Sequence, residues 1–148
     1  MKRLLVVDDA LLMRKMICSV AVEAGWEVAG EAQDGVEAVE LYARLRPDLV
    51  TMDVVMPKMG GLEALRQIRA TDPAAQVVMV TALDQKQTLM ESIRDGAIDF
   101  IVKPFERDRV VRLLNKVKSR DAAPSAPTDP ASELAPLSPE TEADGRDR

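Results

Sequence analysis

Five short runs of strand character, four apolar and one alternating polar with apolar, occur along this chain between five stripes of helical period. The runs are Arg3 to Val7, Glu27 to Ala32, Leu49 to Asp53, Val77 to Thr81 and Phe100 to Val102. Between them, apolar residues recur at i, i+3 and i+4, as in Met13, Met16, Ile17, Val20, Ala21 and Ala24. Strands that alternate with helices read as βαβ units, which build a parallel sheet with helices on both faces and right-handed crossovers. The predicted class is therefore α/β, a doubly wound five-stranded parallel sheet with five helices.

The boundaries have chemical reasons. Gly25 and Gly96 end the first and fourth helices, and Pro47 follows the second. Asp34 stands three residues before Glu37, a capping-box-like start. Asp84 with Gln87 is expected to cap the fourth helix, with Leu89 and Ile93 on its inner face. Leu62, Leu65 and Ile68 mark the third helix, and Val110, Leu113, Leu114 and Val117 the last. Phe100 is expected to be at least partly core.

Charge divides the chain. Residues 1–120 carry 18 basic and 18 acidic side chains, whereas residues 121–148 carry two and seven, the whole net charge of −5. The balanced part shows no bias towards nucleic acid. The acidic part holds five of the nine prolines, and its only large apolar residues are Leu134 and Leu137, so a disordered tail is predicted at 121–148 after one domain at 1–120. The single Cys18 can form no internal disulfide, which fits a reducing, cytoplasmic setting; it reads as a small packed hydrophobe. The opening Leu4-Leu5-Val6-Val7 run is stopped by Asp8-Asp9, too soon for a secretory leader, and no run is long enough to span a membrane.

Four strands end on a functional group: Asp8-Asp9, Asp53, Thr81 and Lys103. In an open parallel sheet the carboxyl ends share one rim, where ligands bind. Three ionised carboxylates repel one another and call for a cation. With no histidine in the chain, the donors are oxygens, which suit Mg²⁺. Lys103 adds a point charge matched to a phosphoryl oxygen, and Thr81 one hydroxyl donor. A carboxylate beside a cation, a lysine and a hydroxyl is equipped to accept a phosphoryl group.

Here the chain resembles the receiver domain of two-component response regulators, nearest to the single-domain chemotaxis type. The resemblance rests on Val6-Val7-Asp8-Asp9, on Met52-Asp53-Val54-Val55-Met56-Pro57 with Gly61, on Val80-Thr81-Ala82 and on Val102-Lys103-Pro104-Phe105, in order and spacing. It covers residues 2 to about 119. It implies the flavodoxin-like strand order 2-1-3-4-5 and a cis Lys103-Pro104 bond. It also implies that Asp53 accepts phosphate from a sensor histidine kinase. Asp8, Asp9, Asp53 and the backbone carbonyl of Val55 would bind Mg²⁺, and Lys103 would contact the phosphoryl group. Thr81 would move towards that group, and Phe100 would turn into the vacated space, making a new surface for a phosphorylation-dependent protein target. Such a protein is a phosphoacceptor rather than an enzyme, and is expected to be monomeric. A relay step between kinase and phosphotransferase, or the receiver part of a regulator whose effector domain is missing, is the alternative.

Three other functions are weighed on residues. An aspartyl-phosphate phosphatase or mutase needs a second Asp two positions after its nucleophile, where this chain has Val55. A nucleotide or flavin module needs a Gly- or Ser/Thr-rich cradle after the first strand, where Asp8-Asp9 would repel phosphate. A transcriptional output needs an effector domain after residue 120, so direct DNA binding is not expected.

Two departures from the family bear on rate. Val55 and Leu83, two positions after Asp53 and Thr81, are apolar and are expected to hinder the water that removes phosphate. Val54 follows Asp53, and Trp26 lies near the second strand, so tryptophan fluorescence is expected to report Mg²⁺ poorly. Leu11, Lys15, Cys18 and Val22 form a second stripe on the first helix, a candidate docking face for a kinase helix bundle.

Overall fold

The computed structural model describes residues 1–119. Residues 120–148, with all of the tail predicted at 121–148, lie outside the described residues. The elements follow in the order β1 (Arg3–Val7), α1 (Leu11–Glu23), β2 (Glu27–Ala32), α2 (Gly35–Leu45), β3 (Leu49–Asp53), α3 (Gly61–Thr71), β4 (Val77–Ala82), α4 (Lys86–Arg94), β5 (Asp99–Lys103) and α5 (Arg107–Lys116). The sheet order is β2-β1-β3-β4-β5 and every pairing is parallel. This is the flavodoxin-like receiver fold.

Alternation along the central strands divides the core into two layers. Leu5, Val7, Val50, Met52, Val77 and Met79 pack with Ala38 and Tyr42 of α2 and with Ala64, Leu65 and Ile68 of α3. Leu4, Val6, Leu49, Val78 and Ile101 face the other way, against Ile17, Val20 and Ala21 of α1 and Val110, Leu113 and Leu114 of α5. The sheet is thus covered on both faces, and its parallel carboxyl ends are left as the open rim.

Local chemistry sets several termini as expected. The Asp34 side chain accepts from the Glu37 amide at 2.9 Å, and Glu37 accepts in turn from the Gln33 amide at 2.7 Å, one residue earlier than a strict capping box. Gly25 ends α1 with φ +90 and Gly96 follows α4 with φ +109.

Other expectations fail. Asp84 caps nothing: it lies in a 3₁₀ turn at Leu83–Gln85, and α4 begins at Lys86 with no side-chain cap. Within α4, Leu89 packs on the core but Ile93 is exposed and Ser92 is the buried residue. On α1, Met16 alone of the expected stripe is exposed; Ile17, Val20 and Ala21 are buried as expected, and Arg14 joins them. Phe100 is also exposed rather than core, because α4 leaves that part of the sheet open. Among the described residues no helix is long and apolar enough to cross a membrane.

Candidate functional site

The site grows from two neighbouring strand ends. β1 and β3 pair in register, Val7 opposite Met52, so Asp8 and Asp53 emerge side by side at the rim. Asp53 is the last residue of β3 and only 6% exposed; Asp8 is 1% exposed, while Asp9 is open to solvent. The Ala10 amide donates to Asp8 Oδ1 at 2.9 Å and fixes that carboxylate in the turn before α1. Carboxylate oxygens of Asp8, Asp9 and Asp53 all lie within 4.8 Å of one another.

Lys103 reaches this cluster from the end of β5, two strands from β3. Its Nζ donates to Asp8 Oδ2 at 3.1 Å and to Asp53 Oδ1 at 3.2 Å. The Lys103-Pro104 peptide that follows is cis, as the resemblance implies. Burial, with the negative charge of Asp8, pushes the Asp53 pKa up to about 6 against the pull of Lys103. Burial opposes the Lys103 charge, yet Asp53 and Asp8 hold its pKa above the usual lysine value.

One lysine does not balance three carboxylates. The donors are all oxygen, converge on one point and leave an excess negative charge, so this set fits a hard divalent cation.

The remaining sequence candidates are placed less centrally. Thr81 is buried on β4, but its hydroxyl donates to the Ala82 carbonyl at 3.1 Å. Phe100 sits on β5, 37% exposed, its carbonyl held by Arg109 at 2.7 Å. Val55 and Leu83 are both exposed, Leu83 at 80%. Trp26 is buried just before β2, at the amino ends of the strands and so across the sheet from the carboxylates, beneath Lys2 at 5.1 Å.

Arg14 was not among the sequence candidates. It is 8% exposed, donates from a terminal nitrogen to the Asp8 carbonyl at 2.7 Å, and pairs through Nε with Glu31 of β2 at 3.0 Å. It ties the Asp8 turn to the edge strand. The sequence signal was slight: a charged residue six positions after Asp8, on the same turn of helix as Ile17.

Known proteins resemble this chain in sequence and fold. The response regulator receiver domain family matches residues 4–115. The chain belongs to that family. It is 52% identical over 116 residues to the chemotaxis protein CheY of Thermotoga maritima, covering 78% of this chain and 97% of that one. It is 51% identical over 117 residues to protein CcdB of Bacillus subtilis, covering 79% and 98%. Among solved structures, the CheX–CheY–BeF3–Mg complex from Borrelia burgdorferi superposes with a TM-score of 0.75 at 35% identity, covering 78% of this chain and 88% of that one. The response regulator domain of Thermotoga maritima CheB gives 0.70 at 38% identity, covering 78% and 92%. The chain is therefore a response regulator of two-component signalling, with chemotaxis proteins among its relatives.

Proposed function

We propose that this receiver is a phosphorylation switch working in chemotaxis, with Asp53 as the acceptor. The observation that carries the reading is the bridge from Lys103 Nζ to both Asp8 and Asp53, which marks where a phosphoryl group would sit. An Asp53 oxygen attacks the phosphorus of a phosphohistidine on a sensor kinase. The nitrogen–phosphorus bond breaks and the imidazole leaves. Lys103 then exchanges its contact with Asp53 for a phosphoryl oxygen. Asp8, Asp9, Asp53 and the Val55 carbonyl would hold Mg²⁺, which neutralises charge on the transferring group. The Borrelia relative was solved with Mg²⁺ and with BeF3, a chemical stand-in for a phosphoryl group.

Phosphorylation adds about −1.5 to −2 charge at Asp53. The Thr81 hydroxyl leaves the Ala82 carbonyl for the new oxygens, and Phe100 turns inward from its exposed position. The altered surface binds a protein target. The chain acts as a cytoplasmic monomer, as a phosphoacceptor rather than an enzyme, and without touching DNA. The kinase docks on α1, where Leu11 and Val22 are exposed, Leu11 at the end of the helix next to the acidic site. Cys18 contributes less to that face, being partly buried against the core, with its thiol pKa raised by burial.

Intact mass after incubation with acetyl phosphate and Mg²⁺ tests the reading. One phosphoryl group on the wild type, and none with EDTA or in Asp53→Asn, is the expected result. An adduct that persists in Asp53→Asn would move the acceptor elsewhere.

A further inference from the structure

The loop between β3 and α3, residues 54–60, carries Val55. Mg²⁺ tolerates little error in the position of a ligand. The Val55 carbonyl accepts no backbone hydrogen bond among the described residues, so its placement depends on how the loop is held elsewhere.

The loop is held at both ends. Beside the strand, the Val54 amide donates to the Val80 carbonyl at 3.1 Å and the Gly61 amide to the Val54 carbonyl at 2.9 Å. At its far end the hold comes from α2. The Gly35 amide donates to the Met59 carbonyl at 2.9 Å, and Lys58 Nζ lies 3.8 Å from Asp34 Oδ2. Between these points the Met59 amide turns back to the Pro57 carbonyl at 2.7 Å, and Lys58 takes a left-handed φ of 67.

Gly35 is the informative residue. Glycine is a poor choice for the first residue of a helix when Ala would serve better. Its backbone is not left-handed, since positive φ among the described glycines occurs only at Gly25 and Gly96. Conformational freedom therefore does not explain it. Space does: a Cβ at Gly35 would lie 2.5 Å from the Met59 carbonyl and 2.8 Å from Met59 Cβ and Cγ. α2 cannot easily retreat, because Ala38 and Tyr42 are buried and the Tyr42 hydroxyl donates to Asp72 at 2.7 Å.

We propose that Gly35, with the first turn of α2, is a positioning residue for the metal-binding carbonyl of Val55. It seats Met59, and Met59 fixes the span that presents Val55. The inference rests on the Mg²⁺ reading above and extends it to a helix that touches neither metal nor phosphate.

Calorimetric Mg²⁺ titration of the full chain tests it, with melting in EDTA as the measure of fold. In Gly35→Ala the Mg²⁺ dissociation constant is expected to rise about tenfold, the scale seen when outer partners of a metal site are lost, while the variant stays folded at the titration temperature. Lys58→Gly suits the left-handed φ but loosens the loop, and is expected to weaken Mg²⁺ about threefold. Folded Gly35→Ala that binds Mg²⁺ within twofold of wild type would overturn the proposal. If Gly35→Ala does not fold, Lys58→Gly decides by the same twofold criterion. Asp9→Asn separates the two levels: it should abolish binding. A wild type that binds no Mg²⁺, or an Asp9→Asn that binds equally well, removes the metal reading itself and this inference with it.

Discussion

The β1–β3 and β4–β5 ends of the sheet are built on different terms. At the β1–β3 end, Asp8 and Asp53 are buried, bridged by Lys103 and backed by Arg14, with two core layers beneath them. At the β4–β5 end, Leu83, Met90, Ile93, Ile98 and Phe100 are all exposed, and α4 buries only Ser92 fully. The first end is fixed by charges that cannot leave without exposing one another. The second has little packing to lose by moving, which is where conformational change is cheap. Chemistry is assigned to the rigid end and its readout to the loose one.

Truncations on β1 and α4 give the largest contrast. Leu5, fully buried on β1, is expected to cost about 3 kcal/mol or more as Leu5→Ala, whereas Ile93→Ala on α4 should cost under about 1 kcal/mol. Equal losses in urea melts would erase the distinction between the two ends. Next, Lys103→Ala should slow phosphorylation by acetyl phosphate about 100-fold, since it removes one preorganised cation from the transferring group. A rate within threefold of wild type would leave Lys103 a purely structural partner.

The carboxylates also set a pH dependence. Asp53 has a folded-state pKa of about 6 against an ordinary 3.8, so the fold binds its proton more tightly than the unfolded chain does. Its contribution to stability is fully present below about pH 4 and is lost as pH rises through 6. Asp53→Asn stays neutral throughout. In EDTA at pH 7.5 it should exceed the wild type by about 1–2 kcal/mol, after discount for solvent at the site, and lose that margin towards pH 4. Matching stabilities at pH 7.5 would show that the cluster carries no electrostatic strain.

Two smaller effects sharpen the surface around the acceptor. Leu11→Asp should slow transfer from the kinase about tenfold, the cost of a spoiled interface anchor, and leave acetyl phosphate labelling unchanged. A loss in both assays would place the effect in the site rather than in docking. Val55→Asn or Leu83→Glu should shorten the phosphoryl lifetime about threefold by admitting and orienting water; an unchanged lifetime would clear both side chains of shielding.

The same contrast explains what could be read from the sequence. The rigid end was legible because strand periodicity puts Asp8, Asp53 and Lys103 at strand ends, and a parallel sheet gathers those ends. Asp34 was legible as a cap because its partner, Glu37, is three residues away. Arg14 was not: helical periodicity turns charges outward, and its burial is made tolerable by Glu31, on β2, and by the Asp8 carbonyl. The loose end defeated local rules. Asp84 has the right residue type for a cap, but a 3₁₀ turn intervenes before α4. Phe100 reads as core by composition, and its exposure depends on how little of the sheet α4 covers. Gly35 reads as part of a helix start, while its reason lies in Met59, 24 positions away.

Hydrogen exchange with and without a stable phosphoryl mimic is the most direct test of the link between the two ends. With Mg²⁺ and beryllofluoride on the wild type, protection is expected to change across β4, α4 and β5, residues 77–103, while the core of β1 and β3 stays slow in both states. The Asp53→Asn variant should show no change. Altered exchange confined to the residues around Asp53, with β4, α4 and β5 unaffected, would contradict the account of a rigid acceptor driving a loosely packed reporter.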